Sequence, residues 1–236
     1  MNPFKKRLHA QALCILALCP ATLAFSGFEE YDWTAGDGFW SNPSNWNQPT
    51  VPNDFTHEAH IGRSTGQADV TADMSVNLHM MRLEDACTLD SNGYLFQTNL
   101  WFTVDGEDTK FFARNPYNHG GNATVITPSF SVQNGGEVEF IDGGIYGETF
   151  NQANDSIVSG YGNVGAERVY LDGPMMPHGG TLEILATDEA DWDGLGEDGR
   201  IDLRADNTTR RLEGNWRTSN DWYTPAVSRS ATTAAS

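Results

Sequence analysis

One stretch near the carboxyl end has residue types that bind metal ions. Residues 188–199 read DEADWDGLGEDG, and numbering them as a calcium loop places Glu189, Asp191 and Asp193 at the first three oxygen-donor positions. Arg200 then falls where an EF-hand carries its bidentate glutamate, and no flanking helices are predicted. The stretch therefore predicts either a looser calcium site or a solvated acidic turn, and calcium is the one candidate cofactor.

Carboxylates could also carry out glycoside hydrolysis, which needs two of them facing each other across a groove. Four candidates lie in the glycine-rich body of the chain: Asp142, Glu148, Asp155 and Asp172. Acids are so common here that no pair stands out, and the chain has no phosphate-cradling loop. We therefore interpret the chain as non-enzymatic, with a carbohydrate-active protein, either a polysaccharide lyase or a glycoside hydrolase, as the alternative.

Short alternating apolar runs that follow glycine pairs predict the fold. Gly135-Gly136 precedes EVEFI at 137–141, and Gly179-Gly180 precedes TLEIL at 181–185. Alternation with period two between tight turns is typical of short, half-buried strands. The offset between 135 and 179 predicts two coils of about 22 residues each. We predict an all-β parallel β-helix or β-solenoid, with an antiparallel β-sandwich or jelly roll as the alternative.

The segment before this body is rich in tryptophan and carries a family resemblance. Residues 36–46 read GDGFWSNPSNW and are followed by Pro52. Together with the later glycine-bounded runs, this opening resembles exported bacterial β-solenoid proteins with autotransporter-associated β-strand repeats. The resemblance covers most of residues 30–205. It implies a solenoid with a Trp-rich amino-terminal cap and an adhesin-like role at the cell surface.

Trp40 and Trp46 have two interpretations. A solenoid exposes strand edges and apolar side chains at its end, and large aromatic residues can cover them. Alternatively, the two indoles form a glycan-binding platform on which a sugar ring stacks. We favour the cap, because large aromatic side chains more often pack in a core than bind ligands.

The first 24 residues have the pattern of a Sec-type signal peptide. The cluster Lys5-Lys6-Arg7 precedes an uncharged, mostly apolar run at 11–24, which ends in Thr22-Leu23-Ala24. The pattern predicts a secreted or cell-surface protein without a membrane span in the mature chain. The chain has 32 acidic residues against 14 Lys and Arg, and this surface repels nucleic acid. Its expected partners are a surface polysaccharide or other cell-surface components.

The domain prediction follows from these features. It divides the chain into a signal peptide at 1–24, a Trp-rich cap at 25–66, a solenoid body at 67–213, and a poorly packed tail or truncated second module at 214–236. The last segment is set apart because it repeats spaced residues of the cap. Gly38, Trp40, Trp46, Pro49 and Val51 recur in the same order as Gly214, Trp216, Trp222, Pro225 and Val227.

Two further residue types are interpreted as structural. Cys87 is the only cysteine after residue 24 and lies in an alternating run, so we predict a small core residue. His57 and His60 lack the spacing of a zinc-protease helix, and we interpret both as surface or turn histidines.

Export makes a prediction about the amino terminus. Cleavage after Ala24 should leave a secreted chain that begins at or near Phe25, which intact-mass spectrometry of the secreted product would detect. A secreted pool that still carries Met1 would contradict the signal-peptide interpretation.

Overall fold

The structure is a computed structural model, and it describes residues 27–115 and 123–191 together with three short strands at 211–213, 216–218 and 221–223. Parallel strands stack as a β-solenoid of about six coils with almost no helix. This confirms the predicted fold class. The alternative of an antiparallel sandwich or jelly roll is wrong, because the strands that pair between successive coils run parallel.

The strands form two columns that merge towards the carboxyl end. The described strands are β1 (Glu29–Asp32), β2 (Gly38–Phe39), β3 (Asp54–Ile61), β4 (Asp69–Thr71), β5 (Val76–Glu84), β6 (Thr88–Asp90), β7 (Phe96–Asp105), β8 (Lys110–Arg114), β9 (Ala123–Gln133), β10 (Glu137–Gln152), β11 (Ile157–Leu171), β12 (Met175–Asp191), β13 (Arg211–Glu213), β14 (Trp216–Thr218) and β15 (Asp221–Tyr223). One column runs through β1, β3, β5, β7 and β9, and the other through β2, β4, β6 and β8. β10 pairs with both β8 and β9, so from this point a single bent strand follows most of the coil.

The core consists of inward-facing residues that repeat from coil to coil. Parallel, in-register pairing places equivalent side chains above one another, about 4.8 Å apart. One inward row consists of the successive partners Val70, Leu89, Phe111, Val138 and Val158. In the other column, the Phe130 ring stacks on Phe102 at 5.2 Å and on Phe150 at 5.5 Å between ring centroids.

The repeat predicted from the two glycine pairs is wrong in register. Val138 continues its row at Val158 and then Met175, whereas Leu182 pairs with Gly162 on a different side of the coil. The Gly179-Gly180 pair lies under the ring of Tyr161, where an added Cβ would meet ring atoms at 3.0–3.1 Å. Each coil has several corners, and a glycine pair marks a corner without identifying which one it is.

Three tryptophans close the amino-terminal end of the core. Trp33 and Trp40 are fully buried and Trp46 is 4% exposed. The Trp46 ring packs edge-on against the other two, at 5.1 Å from Trp33 and 4.8 Å from Trp40 between centroids. Each indole N–H donates to a backbone carbonyl within the segment 36–52. The three indoles are buried as expected for a cap. Neither Trp40 nor Trp46 has a free ring face on which a sugar could stack.

Short-range hydrogen bonds shape the loop that carries these indoles. Asn42 caps the 3-10 turn Pro43–Asn45 by accepting from the backbone N–H of Ser44. The Asn45 amide donates to the Phe39 carbonyl and passes so close to Gly38 that a Cβ there would lie 2.5 Å from its nitrogen. A glycine at position 38 is therefore required for the loop to close.

The same loop covers the first strand edge. An unpaired edge strand can recruit other chains, and natural sheets protect it. Asn47 accepts from the Asp32 N–H with its side chain and donates to the Asp32 carbonyl with its backbone. Gln48 donates to the Glu30 carbonyl. These contacts satisfy backbone groups of β1 that the parallel sheet leaves open.

At the carboxyl end, the tryptophan motif adopts a different local structure. β14, which contains Trp216, pairs with β12 and forms an antiparallel pair with β15, which contains Trp222. In the cap, a 3-10 turn at Pro43–Asn45 lies between the corresponding residues Trp40 and Trp46. Most of the predicted tail and the predicted signal peptide lie outside the described residues. Across the part of the chain that is described, no helix has the length and apolarity needed to cross a bilayer.

Cys87 is a core residue, as predicted. Its side chain is fully buried, and its thiol donates to the Gly66 carbonyl at 2.8 Å. Burial raises the pKa of the Cys87 thiol to about 11, so it stays protonated at neutral pH.

Truncation of the cap should destabilise the whole stack. We expect Trp46→Ala to lower the free energy of unfolding by about 3–5 kcal/mol, because it leaves a cavity between two buried indoles. Denaturant unfolding of the mature chain would measure the change. Phe39→Ala is the matched control, since that ring is 59% exposed in the same segment. Equal stability of Trp46→Ala and the control would contradict the capping role.

Candidate functional site

The outward face of β8 and β10 gathers charged side chains from several coils. The Lys110 ammonium lies 2.8 Å from a Glu139 carboxylate oxygen and 3.1 Å from one of Glu137. Ser159, in the next coil, donates its hydroxyl to the same Glu137 oxygen at 3.1 Å. We call these four residues the Lys110 network. The strand register brings the four residues together, because Lys110 pairs with Glu137 and Glu139 pairs with Ser159.

An aromatic side chain extends the network towards the amino-terminal coils. Lys110 and Arg114 flank Phe112 on β8, with their charged groups 4.9 and 5.5 Å from the ring centroid. The Arg114 guanidinium contacts both carboxylate oxygens of Asp90 at 2.7 and 2.8 Å through one nitrogen. The charged face therefore runs continuously across four coils.

The charge state of Lys110 is well defined. Burial alone would lower the pKa of this ammonium, but its hydrogen bonds to Glu139 and Glu137 outweigh the burial and raise the pKa. Lys110 therefore remains a cation between two anions. A hydrolase needs one carboxylate free to donate a proton and one free to act as base. The ammonium engages both Glu137 and Glu139, which favours an electrostatic role for the network.

An open pocket of about 570 Å³ lies beside the network at one corner of the coil. Its acidic lining consists of Glu107, Asp108, Glu137 and Asp155, and its one cation is Lys110. The polar and negative lining would suit a cation or a hydroxyl-rich ligand. The pocket contains one of the four carboxylates proposed from the sequence, Asp155.

Left-handed backbone at successive corners forms the rim of this pocket. Asp108 and Asn134 have φ values of 61° and 54°, and Gly135 has a φ of 84°. A Cβ on Gly135 would lie 3.1 Å from the Glu107 Cα in the preceding corner. Glycine at this position therefore permits close stacking of two corners as well as the turn itself.

Two of the four carboxylates proposed from the sequence lie along β10, and the other two lie at equivalent corners of neighbouring coils. Asp142 sits at a register shift of β10 and accepts a hydrogen bond from the Asn115 amide at 2.7 Å. Glu148 is exposed further along the same strand. Asp155 and Asp172 lie at the corners before β11 and before β12. Of the four, Asp155 is the one that lines the pocket.

The proposed calcium ligands are only partly covered by the structure. The backbones of Glu189 and Asp191 belong to the end of β12, and Asp193 lies outside the described residues. The side chains of Glu189 and Asp191 are not among those that the structure describes, and among the described side chains no three from His, Cys, Asp or Glu converge in a way that could hold a metal ion. Calcium binding by this stretch stays a prediction.

His60 is buried, so the prediction of a surface or turn histidine is wrong for this residue. It lies in β3 and faces outward. Its register partners are Asp32 in the preceding coil and Arg82 in the following coil. Side chains of neighbouring coils cover it, and only 6% of it is exposed. Neither ring nitrogen has a hydrogen-bond partner among the described residues. His57, at the start of the same strand, is partly exposed and accepts from the Asn53 N–H.

Burial and the charge of Arg63 act in the same direction on the pKa of His60. Burial lowers the pKa of its imidazole, and the nearby Arg63 guanidinium lowers it further, against the smaller opposing effect of Asp32. The folded protein therefore holds His60 neutral at pH values where an exposed histidine would begin to protonate.

Sequence reasoning missed the Lys110 network and the burial of His60. A partial signal was present, because Lys110 is the only lysine after residue 24 and the acids of EVEF at 137–140 alternate with apolar residues. Alternation predicts that these acids face outward. It does not identify which residue of the next coil lies beside them, since that depends on corner lengths.

The lowered pKa of His60 predicts acid sensitivity. The unfolded chain binds a proton at His60 below about pH 6.5. The folded chain resists that proton, so the free energy of unfolding should fall as the pH drops from 7 towards 5. One such group contributes at most about 1.4 kcal/mol per pH unit. His60→Gln should reduce the slope, measured by denaturant unfolding across this range.

His178→Gln is the control for the loss of one histidine, since its imidazole is 54% exposed and its one ion-pair contact among the described residues, with Glu139, is long at 3.9 Å. Because the comparison uses slopes, a uniform loss of stability in His60→Gln does not affect it. An unchanged slope in His60→Gln would contradict the assignment.

No family model matches the chain, and the searches of curated proteins and of solved structures also found no match.

Proposed function

We propose that this protein is an exported β-solenoid that works outside the cell or at its surface as a structural or adhesion-type module, without catalysis. The proposal rests on how the cationic side chains are paired with carboxylates. Three cations each bridge two carboxylates: Arg63 contacts Glu30 and Asp32, Arg82 contacts Glu84 and Asp105, and Lys110 contacts Glu137 and Glu139.

These bridges link neighbouring coils. Asp32, His60 and Arg82 are successive register positions, and Arg82 reaches Asp105 in the following coil at 2.7 Å. An isolated surface ion pair adds little stability, but networks that cross several coils hold the stack together along its axis. A catalytic site would instead direct free charges towards one groove. The pairing thus supports a stiff rod whose surface makes contacts.

The partners we propose are surface polysaccharide or other cell-surface components. After pairing of the few cations, the surface keeps a strong excess of carboxylates, given 32 acids and 14 Lys and Arg in the chain. Such a surface favours neutral, hydroxyl-rich or cationic partners over anionic ones. The exposed acids of the pocket, such as Glu107 and Asp155, are suitable acceptors for sugar hydroxyl groups.

A carbohydrate-active enzyme is the second candidate, and the pocket is the observation that favours it. Its corner location brings Glu137 and Asp155 to one cavity together with Lys110. If these residues acted on a glycan, the two carboxylates would serve as acid and base, and Lys110 would orient a hydroxyl or carboxylate of the sugar.

One experiment separates the two candidates. The mature chain would be incubated with a panel of neutral and acidic polysaccharides, and binding would be measured beside the release of new reducing ends and unsaturated products. We expect binding to at least one polysaccharide or to isolated cell envelopes, without release of products.

The matched variants are Glu137→Gln and Asp155→Asn in the pocket, with Glu167→Gln, an exposed residue on β11, as control. Product release that both pocket variants abolish and the control preserves would overturn the non-catalytic proposal in favour of the enzyme. Absence of both binding and turnover would count against the adhesion role.

A further inference from the structure

The outward sides of β7, β9 and β10 share a face without charged residues. Phe102, Phe130 and Phe150 are register partners that point into the core, so the residue on either side of each points outward. These outward residues are uncharged in all three strands, although the chain contains 32 acidic residues. We call them the neutral face, which consists of Trp101, Thr103, Ser129, Ser131, Thr149 and Asn151.

The strand register arranges the neutral face in two rows along the solenoid axis. The row that starts at Trp101 continues at Ser129, the row that starts at Thr103 continues at Ser131, and β10 adds a third member to each. Successive members of a row are about 4.8 Å apart. The hydroxyl groups of Thr103 and Ser131 hydrogen-bond to each other at 3.0 Å. The coil spacing is close to the length of one sugar unit in an extended polysaccharide, so a polysaccharide that lies along the axis meets one pair of outward residues in each coil.

Trp101 differs from the other tryptophans whose side chains the structure describes. Trp33, Trp40 and Trp46 are buried, and each indole N–H donates to a backbone carbonyl. Trp101 is partly exposed, and no residue in the described part of the chain accepts a hydrogen bond from its indole N–H. A partly exposed indole combines an apolar ring with a hydrogen-bond donor. Trp101 therefore suits the sugar-stacking role that the sequence suggested for Trp40 and Trp46.

The neutral face ends at a charged residue on each side. Arg82 precedes Thr103 in its row and lies 2.7 Å from Asp105, so its charge is engaged within the protein. Arg168 follows Thr149 in the other row and is exposed. The rest of the surface carries an excess of carboxylates, which repels anionic polymers. An uncharged face in this setting matches an uncharged, hydroxyl-rich partner.

We propose that the neutral face binds an uncharged polysaccharide chain that lies along the solenoid axis, with one sugar ring stacked on the indole of Trp101. The Ser and Thr hydroxyl groups and the Asn151 amide both donate and accept hydrogen bonds, as sugar hydroxyl groups do, whereas a carboxylate only accepts. A few such polar groups beside an aromatic ring orient a bound ligand. The inference rests on the proposed adhesion-type role and gives that role a site separate from the acidic pocket.

The test measures binding of the mature chain to uncharged polysaccharides. Sedimentation with insoluble cellulose and chitin and titration with a soluble β-glucan supply the uncharged probes, and alginate is the anionic comparison. We expect binding to at least one uncharged probe and none to alginate. Trp101→Ala should weaken that binding by about tenfold or more, as the loss of an aromatic anchor does. Ser129→Glu should weaken it as well, because it places a carboxylate in the middle of the face.

Ser64→Glu is the matched control, since it makes the same change in the exposed turn between β3 and β4. It should bind like the unaltered chain. Thermal unfolding would verify that each variant is folded, and Ser129→Glu keeps the test decisive if Trp101→Ala does not fold. Equal binding by Ser129→Glu and Ser64→Glu would overturn the site and leave the adhesion role intact.

Two further outcomes would also overturn the inference. Loss of binding in Asp155→Asn, together with full binding in Ser129→Glu, would assign the polysaccharide to the acidic pocket. Binding to isolated cell envelopes without binding to any uncharged probe would exclude this ligand class and again leave the adhesion role standing. The failure of this site is thus distinguishable from the failure of the proposed function, which the absence of all binding would indicate.

Discussion

In-register stacking of parallel coils is the constraint on which the rest of the structure depends. Each coil obtains its backbone hydrogen bonds and its core contacts from the coil before it, as in the stack of Phe102, Phe130 and Phe150. The benefit of this stacking is a continuous apolar interior, in which the one cysteine of the described residues, Cys87, is buried as a free thiol. Its cost is that an incomplete coil at either end has nothing to pack against, which explains why three tryptophans are concentrated at the amino-terminal end.

The same stacking organises the surface electrostatics. Outward residues of neighbouring coils lie about 4.8 Å apart in rows, so like charges in one row would repel and opposite charges attract. In an acidic chain, one solution is to place a scarce cation where it contacts two acids, as Lys110 does with Glu137 and Glu139. His60 is the opposite case to the charged and paired Lys110. It is a titratable side chain that stays neutral in such a row, between Asp32 and Arg82.

The fold class could be predicted from the sequence because its two signals are local. Alternation in segments such as EVEFI at 137–141 and the glycine-bounded corners both depend on a few adjacent residues. The capping role of Trp40 and Trp46 was also accessible, from the turn residues around them. Register was not accessible, because the number of residues in each corner varies. This is why Leu182 pairs with Gly162 rather than following the row of Val138.

The candidate site was less predictable than the fold for the same reason. Acids that could face a groove, such as Asp142 and Asp172, were visible as residue types, but their positions around the coil depend on where each strand bends. The Lys110 network joins residues on β8, β10 and β11. Its members become neighbours only when three coils are stacked, and no short sequence pattern encodes such contacts.

The contact between Trp40 and Phe96 has a consequence for the order of folding. The two rings lie 5.3 Å apart, with Trp40 in the cap and Phe96 at the start of β7. A chain that emerges amino end first cannot complete the packing of Trp40 against Phe96 until β7 has followed it. The finished cap therefore depends on a strand more than fifty residues further along the chain, and its stability is coupled to that of the coils between them.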